Sequence, residues 1–424
     1  MDGRAASQTI TDKVPHLIGV GFELLVISAV TGVKDTRFEH LQLLPWGPAG
    51  LRFDLRHLVR KHLKTRVTIR ALLLGVQALL LIPFLIEKLL LRVESQTSWV
   101  FPAYCRSLSR VTSGEVGLIY STGGALSAHL AALWLKRRSS LPWVVEIHDP
   151  LIYRDWDKSA MFFRLSRWLE ERICAEADQV YWFTEGALAA ARQRNPNLGD
   201  RGSLLIPGND PPNTKGMQYS PSRTLRICHF GSLSRTRSLR YFFEGVRVAA
   251  DRNPTLLDNL QIQIYGSRLD HESIKAMKAL GLEGFVIEIG RIEENRDTGE
   301  SGRQQVLRRM READCLLLLH GEGSVTAEYI PSKTYEYLWM QRPILGLVNK
   351  NLQLSKLLKD LGHYAVSATS AIEISRAVED VWKKWVDGRL GDNGLNSPYS
   401  TKRSADQLCR RFVELCPALT GQKV

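Results

Sequence analysis

Nine runs of six to eight almost entirely apolar residues recur along the chain, most of them followed by a stretch with helical periodicity. In the first half they are FELLVISA (22–29), VGLIYS (116–121), WVVEIH (143–148) and QVYWFT (179–184). In the second half they are LRICHF (225–230), LQIQIYG (260–266), GFVIEIG (284–290), DCLLLLH (314–320) and PILGLV (343–348). A strand can be apolar on both faces only if helices cover both, so this pattern predicts an α/β chain with parallel sheets. Helices are expected at GALSAHLAALWLKRR and MFFRLSRWLEERICAEA, and a last one in YSTKRSADQLCRRFVELCPAL, ending near Pro417.

The segment IPGNDPPNTKGMQYSPSR (206–223) interrupts the alternation with four prolines and two glycines. It reads as a linker between two doubly wound domains. The expected organisation is an N-terminal domain over 1–206, a linker over 207–223, a C-terminal domain over 224–395, and a C-terminal helix over 396–424 packing back across the domains. Two such domains would face a cleft lined by the loops that follow the strands. At 424 residues the chain is long enough for two cores. Six scattered cysteines, with no C-x-x-C pair, read as free thiols in a reducing compartment and give no zinc spacing. The opening MDGRAASQTITDK has no apolar signal-type stretch.

A net charge of +13 favours an anionic partner. Within the basic and apolar helical segment 51–92, residues 51–70 hold seven Lys/Arg against one Asp and run into ALLLGVQALLLIPFLI (71–86). That uncharged run is shorter than the roughly 20 residues of a spanning helix and contains Gln77 and Pro83. A buried helix with a solvated basic face, docking on an anionic bilayer surface, and a transmembrane span are the three readings open to it. Nucleic acid is not expected as a partner, because the basic residues lack interleaved aromatics.

Three stretches carry candidate chemistry. In HFGSLSRTRSLRYFFEGVR, Gly231 and Ser232 follow a strand, and Arg235 and Arg237 precede a helix expected from about Ser238. A glycine turn opening a helix offers N–H groups to an anion, and the arginines add charge. The alternative is a solvated turn with surface arginines.

In AEYIPSKTYEYL, Glu328 and Glu336 flank Pro331-Ser332-Lys333. Ser332 can cap a helix through KTYEYLWMQ, with Lys333 at its start and Glu336 one turn in. Two carboxylates around an anion site suit a phosphorylated sugar, whose hydroxyls they can accept. The plainer alternative is that Glu336 complements the helix dipole and Glu328 is solvated. In LPWVVEIHDPLIYRDW, His148 and Asp149 stand at a strand's carboxyl end, where His148 could orient a hydroxyl and Asp149 fix its tautomer. The Asp-x-Asp at 155–157 has no supporting ligands, and no metal is read there.

IPSKTYEYLWMQRPIL resembles the signature of the GT-B-fold, retaining glycosyltransferases of family 4, the group 1 glycosyltransferases, in the form found in bacterial polysaccharide biosynthesis. VGLIYSTGGALSAHLAALWLKRRSSLPWVVEIHDPLIYRDW resembles that family's N-domain segment, LLIPGND its hinge and HFGSLSRTRSLRYFF its first C-domain loop. The resemblance implies two Rossmann-like domains and a nucleoside-diphosphate sugar as substrate, with no cofactor and no metal. It also implies a glycan or lipid-linked acceptor; the basic and apolar stretch 51–92 predicts a cytoplasmic protein attached peripherally to the inner face of the membrane, where a lipid-linked acceptor would be found.

By position it implies that Glu336 binds the nucleotide ribose and Glu328 lies near the donor sugar. Gly231, Ser232, Arg235, Arg237, Ser332 and Lys333 would surround the diphosphate, and His148 would touch the donor sugar. Ser232 stands where the family has an arginine, and Arg237 where it has a lysine. The family's first strand and glycine loop have no counterpart before GRAASQTITDKVPHL, so the first strand of the N-terminal sheet is expected to be missing. A nucleotide-sugar 2-epimerase and a catalytically impaired scaffold of the same fold are the alternatives.

Overall fold

The computed structural model describes residues 5–30, 34–62, 66–91, 97–153, 157–214, 216–295, 298–390 and 397–417. Residues 63–65 and 92 of the basic and apolar segment, Asp155 and Trp156 of the Asp-x-Asp pattern, Lys215 of the linker, and residue 396 lie outside them. The chain forms two compact units, residues 1–207 with 401–424, and residues 208–400.

In the first unit, β1 (Leu25–Ala29) pairs in parallel with β2 (Glu39–Leu43). A separate parallel sheet runs in the order β3 (Ile119–Gly123), β4 (Trp143–Ile147), β5 (Gln179–Trp182) and β6 (Gly202–Leu204). Among the described residues no strand joins the pair to the four, which leaves one edge of β1 and one of β3 outside any ladder. Every residue of β4 is buried, Trp143 and Val145 with Leu130 and Leu133 of the helix Leu126–Arg138 and with Leu169 and Ile173 of the helix Met161–Glu176.

The helix Thr401–Leu415 belongs to this unit. Its buried Leu408, Cys409 and Phe412 join Leu17, Phe22, Val144, Tyr181 and Leu205 in one cluster. The spacing of 408, 409 and 412 puts these side chains on one helical face. Phe22, read as the start of a strand, is instead part of that cluster, and β1 begins at Leu25.

The second unit is a single six-stranded parallel sheet. Its strands are β7 (Leu225–Phe230), β8 (Leu260–Tyr265), β9 (Val286–Gly290), β10 (Cys315–Leu319), β11 (Ile344–Val348) and β12 (Tyr364–Ser367). They lie in the order β12-β11-β10-β7-β8-β9. The chain therefore moves outward from β7 through β8 and β9, then crosses back to β10 and moves outward on the other side. β7 and β10 pair directly, His229 opposite Leu317. The strand order reverses between β7 and β10, which is where doubly wound sheets bind ligands outside the carboxyl ends of the strands.

Three strands were not expected: β2 (EHLQL), β6 (GSL) and β12 (YAVS). They are short or polar, and only their ladders define them. Segment 71–86 is not the buried core helix that was one reading of it. It is split between the helices Arg66–Leu79 and Leu81–Leu91, bent by 45°. Pro83 accounts for the break, because its ring opposes the carbonyl four residues back, at Leu79. No single described helix is long and apolar enough to cross a membrane.

Candidate functional site

The loops after β7 and β10 come together through backbone contacts. Gly231 follows β7 and packs against Gly266 at the end of β8. A Cβ on Gly266, whose φ is +97°, would lie 3.0 Å from the Gly231 carbonyl oxygen. Only glycine fits that approach. The Phe230 N–H donates to the Tyr337 hydroxyl at 3.1 Å, tying β7 to the helix Lys333–Tyr337. The Glu322 N–H donates to the Thr236 carbonyl at 2.7 Å, joining the two loops directly.

The loop after β10 is held along its length. His320 is fully buried; it receives the Asn349 N–H at Nδ1 (3.2 Å), and its Nε2 lies 3.0 Å from the Tyr329 carbonyl. These partners place the proton on Nε2, and burial pushes the imidazole down to about 4, so it stays neutral. The Asn351 side chain donates to the Thr326 and Tyr329 carbonyls at 3.0 and 2.8 Å.

Charge concentrates where the two loops meet. The Glu336 carboxylate, 7% exposed, takes the Arg303 guanidinium at one oxygen and lies 3.8 Å from the Lys333 ammonium at the other. Burial lowers the Lys333 ammonium from its usual value, and Arg303 adds to that, while Glu336 opposes it. His229, the fifth residue of β7, faces the same space. A Cβ on Gly231 would be 3.5 Å from both its Nε2 and the Lys333 Cε. His229 Nδ1 lies 3.1 Å from the Leu317 carbonyl, so Nδ1 donates and Nε2 carries the lone pair. That Nε2 is buried and has no hydrogen-bond partner. Burial, helped by the positive charges of Lys333 and Arg237 and opposed by the hydrogen bond to Leu317, brings the ring down to about 4. The result is a neutral acceptor facing a cluster of cations.

In the first unit His148 follows β4. Its Nε2 lies 2.8 Å from Glu146 Oε1 and 2.9 Å from Thr122 Oγ1, and its ring stacks on Phe183 at 4.5 Å. Glu146 has no exposed surface. It receives both oxygens' bonds from the Lys13 ammonium at 2.6 Å, one from Thr122 Oγ1 at 3.1 Å, and one from the Tyr120 hydroxyl. Burial alone would raise this carboxyl, but Lys13 and His148 together hold it far below its usual range. With the carboxylate accepting from Nε2–H, the proton of a neutral His148 sits on Nε2 and its Nδ1 is the basic atom.

The second unit thus gathers Gly231, Arg237, Lys333 and Glu336. Glu328 is buried, at the end of a 3-10 turn in the loop after β10. Ser232 and Arg235 lie exposed on the loop after β7. Two local expectations are corrected. Ser332 has helical torsions and its side chain makes no cap bond, and the helix after it is only five residues long before a 3-10 turn. The helix after Gly231 begins at Arg240, and its first N–H groups are engaged: Leu239 donates to Ser273 Oγ at 2.8 Å and Arg240 to Ser238 Oγ at 3.2 Å. Two serine hydroxyls thus take the N–H groups of Leu239 and Arg240 at its start.

In the first unit Asp149 is exposed, and Glu146 rather than Asp149 holds the His148 ring. Sequence reasoning passed over Glu146, Lys13, His229 and Arg303. Glu146 did carry a signal, as the one charged residue inside the apolar run WVVEIH. His229 carried none, because a histidine ending an apolar strand is ordinary.

No family model matches the chain, and no curated protein matches it. Solved structures do. WaaG, a glycosyltransferase involved in lipopolysaccharide biosynthesis, is 11% identical, covers 98% of this chain and 95% of its own, and superposes with a TM-score of 0.54. HepE of Anabaena, solved in complex with UDP, is 14% identical over 75% of this chain and 80% of its own, with a TM-score of 0.51. The N-terminal domain of trehalose-6-phosphate phosphatase of Candida albicans is 11% identical over 76% and 77%, with a TM-score of 0.54. At these identities the likeness is one of fold, and the fold is GT-B: two Rossmann-like units built on parallel sheets.

Proposed function

We propose that the chain is a retaining glycosyltransferase of the family 4 type that moves a sugar from a nucleoside-diphosphate donor to a hydroxyl of a glycan or lipid-linked acceptor. Cell-surface polysaccharide biosynthesis is the role that fits it. The observation that carries this reading is the convergence of His229, Gly231, Arg237, Lys333 and Glu336 at the carboxyl ends of β7 and β10. The UDP held by HepE makes UDP the first nucleotide to try.

In this scheme Arg237 and Lys333 meet the diphosphate, with Arg235 and Ser232 within the same loop and Ser332 beside Lys333. Glu336 accepts from the ribose hydroxyls. A carboxylate offers about four lone-pair sites, so its ion pair with Arg303 orients it without filling it. Glu328 lies on the donor-sugar side of the same loop. The acceptor oxygen forms a bond to the anomeric carbon as the bond from that carbon to the phosphate oxygen breaks. The electron pair leaves with the diphosphate, and the acceptor proton passes to the leaving phosphate oxygen. Fixed positive charges stabilise the charge that develops there. His148, held by Glu146, and Asp149 orient sugar hydroxyls in the first unit. The scheme uses no metal and no cofactor, so turnover in EDTA is expected to match turnover without it.

Calorimetric titration with UDP, GDP and ADP tests the proposal on wild type and Glu336→Ala. One nucleotide is expected to bind, and the variant to bind it at least about tenfold more weakly, a loss of about 1.4 kcal/mol. Binding of none of the three would refute the donor assignment. NMR of the product's anomeric proton checks retention; an inverted product would remove that part of the proposal.

A further inference from the structure

Helical proteins in water turn apolar stripes inward, but one helix of the first unit does the reverse. In the helix Leu81–Leu91, Ile82, Leu85, Ile86 and Leu89 follow the i, i+3, i+4, i+7 spacing of a single face, and they are 68%, 54%, 52% and 70% exposed. Leu72, Leu74 and Leu79 of the preceding helix are exposed as well. The inward face of the second helix is specified separately. The Ala49 N–H donates to Glu87 Oε2 at 2.7 Å, at the start of the helix Pro48–His62, and the Arg52 guanidinium lies 4.9 Å from the centre of the Phe84 ring. The stripe is therefore presented outward by a defined packing. Its extent, on the order of several hundred Å², is at or above the largest apolar patch usual on a soluble monomer.

Three further observations identify what covers it. Residues 51–70, just before and at the start of this bent helix pair, carry seven Lys/Arg and one Asp. Trp46, 62% exposed, precedes the helix Pro48–His62 and stacks on the exposed Phe101 at 6.3 Å, an aromatic pair of the kind that sits at a headgroup boundary. The apolar arms 71–79 and 81–89 are nine residues each, about 14 Å long, and are bent by 45°. Neither arm alone spans a ~30 Å hydrocarbon core. A basic flank, an aromatic border and an apolar stripe confined to one face of the helix Leu81–Leu91 match an interfacial position at anionic headgroups.

We propose that the bent helix pair Arg66–Leu79 and Leu81–Leu91 lies in the interfacial layer of an anionic membrane, with the face of Ile82, Leu85, Ile86 and Leu89 among the acyl chains and the basic charge near the start of the pair in the sequence attracting it to the headgroups. This docking surface holds the first unit at a bilayer and is independent of the nucleotide site. It places the protein peripherally on the membrane face that carries anionic lipid.

Flotation of the full chain with phosphatidylglycerol–phosphatidylcholine vesicles, and with phosphatidylcholine alone, tests the proposal at low and high salt. The wild type is expected to float with the anionic vesicles, less at high salt, and to remain mostly unbound with phosphatidylcholine. The triple variant Ile82→Ser, Leu85→Ser, Leu89→Ser is expected to lose at least about tenfold in partition. Because these side chains are exposed, its thermal midpoint is expected to match the wild type, which separates loss of docking from loss of fold. A wild type that stays at the bottom of the gradient overturns the proposal, as does a variant that floats equally well. A wild type that sediments as a dimer dissociated by the triple substitution also overturns it, since the stripe would then be an interface between copies. A protein that floats but binds no nucleoside diphosphate leaves this proposal standing and removes the transferase reading.

Discussion

Replacing Lys13 by Met tests the buried centre of the first unit. Lys13 and Glu146 are 2% and 0% exposed, with the ammonium 2.6 Å from both carboxylate oxygens. Met fills nearly the same volume but leaves the carboxylate inside the protein without its cation. Removing one partner of such a pair destabilises by about 3–5 kcal/mol. That is a large part of the roughly 5–15 kcal/mol that holds a domain together.

The pH dependence carries a second, sharper expectation. In the wild type Glu146 is held below its ordinary 4.5, so the pair's contribution is fully present above that value and is lost only as the solution becomes strongly acid. In Lys13→Met burial is opposed only by His148 and the neutral donors, and the carboxyl is expected to rise above 4.5. A raised carboxyl contributes stability below its unfolded value and loses it as pH rises through the folded one. The variant's deficit is therefore expected to be smaller at pH 5 than at pH 8. Denaturant unfolding followed by tryptophan fluorescence, to which the buried Trp143 and Trp182 contribute, reads both quantities. The double variant Lys13→Met, Glu146→Leu is expected to be less destabilised than Lys13→Met alone, because no charge is left unpaired. A deficit below about 1 kcal/mol with no pH dependence, or a double variant as unstable as the two singles summed, would refute the reasoning.

Three further outcomes follow from the second unit and from His148. His229→Leu removes a buried acceptor that has no protein partner, along with one bond to the Leu317 carbonyl; stability is expected to change by only about 1 kcal/mol. Its affinity for the sugar nucleotide is expected to fall more than its affinity for the bare nucleotide, as calorimetry with both ligands would report. Gly266→Ala places a methyl 3.0 Å from the Gly231 carbonyl oxygen at a φ of +97°, and is expected to cost about 1–3 kcal/mol and to weaken nucleotide binding by shifting Gly231. Glu146→Gln at the first-unit site is expected to lower kcat more than Asp149→Asn, because Glu146 and not Asp149 holds the His148 ring; equal losses would count against that assignment.

Elements whose burial is written in their composition were legible. The nine apolar runs all contain strands; those covered on both faces, such as β4, β10 and β11, are buried along their length, whereas the edge strand β9 is largely exposed. The strands β2, β6 and β12 were not, since EHLQL, GSL and YAVS become strands only by pairing with neighbours. At the site, the motif around Pro331 identified Lys333 and Glu336, because proline, serine and acid at fixed spacing mark a local turn. Local spacing could not show that Ser273, 35 residues beyond Ser238, caps the helix that Ser238 was expected to open.

The segment 71–86 shows the same division. Its sequence limits it to apolar helix broken near Pro83, because proline's ring and missing N–H act on the chain's own backbone. Whether its leucines face a core or solvent depends on what packs against them. Here Glu87 and Phe84 take the inward side and leave the stripe outside. Glu146 is the counterpart in the core. A lone glutamate in an apolar strand must find a cation, since an unpaired buried charge is too costly to keep. That the cation is Lys13, 133 residues away, was decided only when the chain folded around it.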